Sequence, residues 1–132
     1  MERVLKANPE TTFIGHGPGW WASISGDVKT PEDLGAYPTK PVAPGGAMDR
    51  LMEKYPNLNG ELSADSGAGA IGRDKQFGTQ FLTRRADRIM FGTDYLSPGQ
   101  KVPQFDLWNT LDLPAEVAAK IARENAIRLL RL

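Results

Sequence analysis

The chain has 132 residues, in which 16 Lys and Arg balance 16 Asp and Glu, so its formal net charge is zero. This length fits one domain, and the balanced charge without a long run of one sign argues against nucleic acid or a membrane surface as a partner. The absence of cysteine excludes disulfides and thiol nucleophiles and is typical of a reducing compartment. We therefore expect a cytoplasmic protein, with no signal peptide and no membrane span.

The first third of the chain predicts a helix, a strand and a long loop. Residues 2–7 form the helix, which Pro9 stops because proline disfavours α conformation in the residue before it. Residues 11–16 are β-branched and aromatic and give way to Gly17, which predicts a buried strand with His16 at its carboxyl end. Residues 17–44 are rich in glycine and proline and predict a surface loop insertion, with one helical turn near residues 31–34.

The rest of the chain alternates between helical and extended patterns. The predicted elements are a helix over residues 45–55, a strand over 58–64, a glycine loop at 66–69, a helix over 74–86, a strand over 88–94, and two helices within 105–132, the second with Pro114 at its first position. Asp94 thus ends a strand, as His16 does.

This order predicts an α/β fold with parallel strands joined by helical crossovers. Three parallel strands are few for a complete domain, because a parallel sheet needs both faces covered and its edges protected. We therefore expect a partial TIM (β/α)8 barrel. In such barrels the catalytic groups project from the carboxyl ends of the strands, where His16 and Asp94 lie.

Three segments resemble one enzyme family. Residues 13–17 (FIGHG) resemble the sixth-strand motif of the amidohydrolase superfamily, in its family-2 branch with aminocarboxymuconate-semialdehyde decarboxylase. Residues 90–95 (MFGTDY) are similar to its eighth-strand motif, and residues 124–130 (ENAIRLL) to its closing helix. The resemblance implies that residues 1–132 are the C-terminal part of a metal-dependent hydrolase barrel, about strands six to eight.

The same resemblance implies roles for two residues. Asp94 would be a metal ligand that also accepts a proton from metal-bound water, and His16 would lie at the ion and polarise the substrate or assist proton transfer. The implied reaction is hydrolysis of a C–N or C–O bond in a small molecule, or alternatively non-oxidative decarboxylation, with zinc as the expected divalent metal. His16 is the only histidine, however, and His16 with Asp94 cannot complete a three- or four-ligand site. We therefore expect weak or no metal binding by this chain alone.

Four further residues are candidates for substrate binding. Trp20 and Trp21 follow His16 and form either an aromatic wall over the substrate or a core anchor for the loop. Asp65 and Ser66 follow the second strand and should face the same mouth as His16 and Asp94. Asn125 and Arg128, by contrast, are interpreted as structural residues that tie the last helix to the sheet.

Two alternatives of other classes remain open. Residues 67–72 satisfy G-x-G-x-x-G between a predicted strand and helix, with Asp94 22 residues after Gly72, which would indicate dinucleotide binding. A flexible glycine loop after the strand is the preferred explanation, because short segments rich in small residues match this pattern by chance. The chain could also be a truncated, non-catalytic interaction module that associates with itself, or with a complementing polypeptide, through an open barrel edge near Phe13 and Ile14.

Overall fold

A small parallel sheet lies at the centre of the computed structural model, which describes residues 1–35 and 37–132. Its strands are β1 (Phe13–Gly15), β2 (Leu58–Glu61) and β3 (Ile89–Met90). They lie in the order β1-β2-β3, with Gly15 paired with Gly60 and Glu61 paired with Met90. The predicted mixed α/β class and parallel strands are confirmed, although each strand is shorter than its sequence pattern indicates.

In the described part of the chain, eight short α-helices surround this sheet. They are α1 (Glu2–Ala7), α2 (Pro18–Ala22), α3 (Ala47–Lys54), α4 (Ala64–Gly72), α5 (Lys75–Arg84), α6 (Pro103–Trp108), α7 (Ala115–Ala119) and α8 (Asn125–Leu130). A 3-10 helix spans Pro31–Gly35, and a π-helical turn, Lys120–Glu124, joins α7 to α8. None of the helices within residues 1–35 and 37–132 combines the length and the hydropathy that a bilayer span requires.

Helices α3 and α5 confirm the amphipathic patterns that predicted them. In α3 the stripe buries Met48 and Met52. Helix α5 begins after Asp74, whose Oδ1 accepts a hydrogen bond of 3.1 Å from the backbone N–H of Phe77. A side-chain oxygen at this position satisfies an amide that the helix itself leaves free.

The prediction of a glycine loop at residues 66–69 is wrong, because this segment lies inside α4. The glycine and alanine residues were interpreted as a sign of flexible backbone, but in α4 their small size permits neighbouring parts of the chain to approach the helix closely. A Cβ on Gly67 would lie 2.3 Å from the carbonyl oxygen of Leu62, and Ala68 and Ile71 are buried. The dinucleotide interpretation of residues 67–72 fails with the loop, since a phosphate-binding turn needs backbone amides that are free ahead of the helix.

The predicted surface loop over residues 17–44 is only partly correct. The helical turn near residue 31 is confirmed by the 3-10 helix, but α2 was not predicted. Pro18 lies in the first turn of α2, where its missing N–H costs little. Trp20, Trp21 and Ile24 are buried, so the start of this segment belongs to the core rather than to the surface.

The π-helical turn and helix α8 cover the outer edge of β3. The backbone N–H of Phe91 donates to the carbonyl of Ile121, in the π-helical turn, over 2.8 Å. The Asn125 amide donates to the carbonyls of Ala86 and Ile89 over 2.6 and 2.8 Å. These bonds satisfy groups that would otherwise pair with a further strand. The structural role expected for Asn125 follows from these contacts, while Pro114 precedes α7 as its N-cap rather than occupying its first position.

Candidate active site

Three side chains able to do acid–base chemistry lie at the carboxyl edge of the sheet. His16 directly follows β1, Glu61 is the last residue of β2, and Asp94 follows β3 by four residues. Because the strands are parallel, their carboxyl ends share one edge. Strand β2 separates β1 from β3, which places the backbones of the outer strands about 10 Å apart.

His16 and Glu61 form a direct pair across adjacent strands. The Nδ1 atom of His16 contacts Oε1 of Glu61, and the two side chains are 50% and 18% exposed. Ser63 supports the pair: its backbone N–H donates to Glu61 Oε2 over 2.9 Å, and its Oγ lies 3.2 Å from His16 Nδ1. A carboxylate that accepts from Nδ1 fixes the imidazole orientation and leaves Nε2 free for a substrate or water.

Glu61 is itself held from two sides. The indole N–H of Trp21 donates to the Glu61 backbone carbonyl over 3.1 Å. On the other side a Cβ on Gly92 would lie 2.7 Å from Glu61 Oε2. The glycine between β3 and Asp94 therefore leaves the space that the carboxylate occupies beside His16.

Asp94 lies in a different cleft, of about 450 Å³, that it shares with Asp65, Gln100 and Lys101. Its backbone has φ 52°, in the left-handed region, and its carbonyl accepts a 2.6 Å hydrogen bond from the Gln100 side chain. Ala64, which also lines this cleft, has φ 61°. Such conformations are unfavourable for residues other than glycine and concentrate at functional sites.

The structure does not bring His16 and Asp94 together. His16 lines a separate depression of about 420 Å³ with Ile14 and Trp20. Among the described residues, no three histidine, aspartate, glutamate or cysteine side chains are grouped closely enough to hold a metal ion. The residues present therefore do not fit a complete metal site. His16, Glu61 and Asp94 instead form two neighbouring polar surfaces.

The four candidate substrate residues are distributed among different places. Asp65 is exposed and shares the cleft of Asp94. Ser66 is buried and lines another cavity, because adjacent residues on a helix point about 100° apart. Trp20 and Trp21 are 7% and 1% exposed. The Trp20 ring packs over two glycines of the sheet: a Cβ on Gly15 would overlap the ring, and one on Gly60 would lie 3.2 Å from it.

Glu61 was missed by sequence reasoning. The sequence LNGELSAD offers two acidic residues near the end of the second strand, and the predicted strand ran past Glu61 to Ala64. Because the strand was predicted to end at Ala64, Asp65 rather than Glu61 was predicted as the acidic residue at its carboxyl end. The signal that could have identified Glu61 is a charged residue directly after Asn59-Gly60, since a strand that is buried on both faces rarely continues through a charged side chain.

The contact between His16 and Glu61 predicts which tautomer the imidazole adopts, and NMR can measure this. His16 is the only histidine, so the two imidazole ¹⁵N signals are unambiguous. We expect the neutral ring to carry its proton on Nδ1, and Glu61→Ala to shift the population towards the Nε2–H tautomer. Gly92→Ala should act in the same direction by displacing the carboxylate.

The matched control is Glu10→Ala, since Glu10 is exposed on the surface. It should leave the imidazole signals unchanged. Equal tautomer populations in the native protein and Glu61→Ala would show that the pair does not orient the ring.

Comparisons with known proteins identify a family. A sequence profile of the family described as Amidohydrolase matches residues 13–132. Neither the search of curated proteins nor the search of solved structures found a match to the chain. The profile match spans all three strands and every candidate residue.

Proposed function

This chain belongs to the amidohydrolase family, and from that premise we propose that it carries one side of an active site that hydrolyses a C–N or C–O bond in a small molecule. The fold proposed with it is the last part of a (β/α)8 barrel, about strands six to eight. The motif resemblances favour the branch that includes aminocarboxymuconate-semialdehyde decarboxylase. His16, Glu61 and Asp94 would then lie at the mouth of the barrel.

The observation that carries this proposal is the His16–Glu61 pair at the carboxyl ends of adjacent parallel strands. Nε2 of His16 can take a proton from a water molecule as its oxygen bonds to the substrate carbonyl carbon. The same proton can pass to the leaving nitrogen or oxygen as the C–N or C–O bond breaks. Glu61 keeps the ring in position and offsets the positive charge of the imidazolium.

Asp94 would act from the neighbouring cleft as a fixed negative charge. Its carboxylate can hold a substrate N–H or O–H group, with Asp65 beside it as a second acceptor. The amidohydrolase superfamily generally uses divalent metals. Zinc remains our proposal for the complete enzyme, with its ligands supplied mainly by other polypeptide segments, since His16 and Asp94 lie in separate clefts of this chain.

A second candidate is non-oxidative decarboxylation of a small carboxylate. Lys101 lines the same cleft as Asp94, and its ammonium group can bind a substrate carboxylate. The products separate the two reactions, because hydrolysis generates a new acid or alcohol whereas decarboxylation releases CO2.

The proposal is tested by comparing this chain with the in-frame product of any coding sequence upstream of Met1. We expect the chain alone to retain little zinc on dialysis. A longer product that contains a His-x-His segment should bind zinc stoichiometrically and turn over amide, ester or carboxylate substrates. Asp94→Ala should abolish turnover, and Asp112→Ala, at an exposed carboxylate, should not. A longer product with equal turnover in both variants would contradict the assignment of Asp94.

We expect the chain to self-associate through the outer edge of strand β1. It is the outer strand on one side of the sheet, and Ile14 on it is 41% exposed. A strand edge with exposed apolar side chains is a template for pairing with another chain. We expect sedimentation velocity to show a monomer–dimer equilibrium that Ile14→Lys shifts to monomer. Leu132→Lys, at a residue 81% exposed on the C-terminus, is the control. A concentration-independent native monomer would contradict this prediction.

A further inference from the structure

A cavity of about 370 Å³ lies between helices α2 and α4, beside residues 37–39. Its volume falls within the range of small-molecule sites, about 300–1,000 Å³. Tyr37 lines both this cavity and the cleft of Asp94, so the two are neighbours. Of the described residues around the cavity, none is an aspartate, glutamate, histidine or lysine. It is therefore distinct from the acid–base surfaces of the candidate active site.

Gly69, in the wall that α4 contributes, leaves open space. The other two glycines of this helix are explained by packing. At Gly67 a Cβ would lie 2.3 Å from the carbonyl oxygen of Leu62. At Gly72 it would lie 3.3 Å from the side chain of Leu107. A Cβ on Gly69 would meet nothing within 4 Å. Glycine weakens a helix relative to alanine, and no packing contact of the described residues requires it at this position. The space beside it is available to another molecule.

Tyr37 adds an exposed aromatic ring to the same cavity. This residue is 58% exposed, whereas Trp21, which also lines the cavity, is only 1% exposed. The walls that a ligand can reach therefore include the Tyr37 ring, the backbone of α4 at Gly69, and the half-buried Pro18 and Pro38. Water beside such apolar walls finds few polar partners, so an apolar group displaces it favourably. A flat aryl group fits best, because it can stack on the tyrosine ring.

The polar side chains of the cavity favour an uncharged ligand. The Oγ atom of Ser66 and the Nε and Nη2 atoms of Arg73 are enclosed by the protein, so they do not contact a ligand. Asp27 and Asp74 attract the Arg73 guanidinium electrostatically and offset its positive charge. A charged group in the cavity would lose water without gaining an ion partner, which is unfavourable. The hydroxyl group of Tyr37 can instead bond to a neutral polar end of the ligand.

We propose that this cavity binds a small, uncharged aryl compound, whose ring contacts Tyr37 and the backbone of α4 at Gly69. The site goes beyond the proposed hydrolytic function. Its walls offer apolar contacts rather than acid–base groups, so binding here does not require that function to be present.

The probe is 3-phenylpropan-1-ol, titrated into the full chain by calorimetry at several temperatures. We expect saturable binding with a negative heat-capacity change, which marks the burial of apolar surface. Tyr37→Ala should weaken binding about threefold or more, because an aromatic contact is lost. Tyr95→Ala is the matched control, since Tyr95 is 55% exposed but does not line the cavity. Its affinity should equal that of the native protein.

Substitutions at Gly69 test whether the ligand uses the open space beside α4. The fold should tolerate them, because the added Cβ meets nothing within 4 Å, and circular dichroism checks this. We expect Gly69→Leu to weaken binding about tenfold or more, since its side chain takes the place of buried ligand surface. Gly69→Ala should weaken binding less. Gln76→Leu adds the same side chain at an exposed position of α5 and should bind like the native protein.

Charged analogues of the probe test the expected neutrality of the ligand. Both 3-phenylpropanoate and 3-phenylpropylammonium should bind about tenfold or more weakly than the alcohol. Equal or tighter binding of either ion would overturn the proposal. So would equal affinity of the native protein and Gly69→Leu, equal affinity of Tyr37→Ala and Tyr95→Ala, or no saturation up to about 10 mM alcohol.

Discussion

Asn125→Leu is expected to lower the free energy of unfolding by about 3 kcal/mol. Asn125 is 2% exposed, and its side-chain amide donates to two backbone carbonyls of the segment that leads into and forms β3. Its own oxygen accepts a 3.2 Å hydrogen bond from Arg128. Leucine of similar size would bury both carbonyls without partners, which costs more than the hydrogen bonds themselves contribute.

Urea denaturation followed by circular dichroism measures this loss. Asn125→Asp is the informative companion, because it keeps the shape of the side chain but replaces the donor with acceptors; it should also be destabilising. Asn109→Leu, at an exposed asparagine, should stay within about 0.5 kcal/mol of the native protein. A change in Asn125→Leu no larger than in Asn109→Leu would show that α8 is not anchored through this amide.

Gly15→Ala is expected to destabilise the fold by about 3 kcal/mol, at the upper end of overpacking costs. The added Cβ would lie 2.1 Å from Cδ2 of Trp20, whose ring is buried. The ring cannot move without disturbing the edge contact between Trp20 and Trp21, whose centroids lie 6.4 Å apart. Thermal unfolding should show the loss as a lower Tm.

A smaller residue at position 20 should relieve this clash. In a double-mutant cycle, Gly15→Ala is expected to cost much less in the Trp20→Leu background than in the native one. Gly69→Ala is the matched control, because nothing lies within 4 Å of its added Cβ in α4. That change should stabilise the helix by about 0.5–1 kcal/mol. Additive effects of Gly15→Ala and Trp20→Leu would contradict the packing described for this ring.

The parts of the fold that could be predicted depend on local signals. The residue spacings of three and four that predicted α3 and α5 repeat within one or two helical turns, and both helices are present. Helix α4 depends on contacts with residues distant in the sequence: a Cβ on Gly72, for example, would lie 3.3 Å from the Leu107 side chain of α6. Helix propensity alone disfavours its glycines, so tertiary packing determines the conformation of this segment.

The candidate site also has features that the sequence predicts and features that depend on the folded structure. That His16 and Asp94 follow strands was predictable from the extended patterns before them. Their separation was not, because β3 ends at Met90, four residues before Asp94, and the backbone at Asp94 is left-handed. Glu61 became the partner of His16 through strand register, which places Gly15 beside Gly60. Register depends on side chains from both strands, and one-strand patterns do not specify it.

The contacts of the closing helix with β3 restrict the symmetry of any assembly. Phe91 and Ile89 already bond to Ile121 and Asn125, so the sheet can recruit another copy only through β1. An interface that uses the same edge on both copies is isologous and closes around a two-fold axis. Head-to-tail growth would need two unlike free edges. Association of this chain should therefore stop at a dimer with a continuous six-stranded sheet, antiparallel at its centre, rather than extend into fibres.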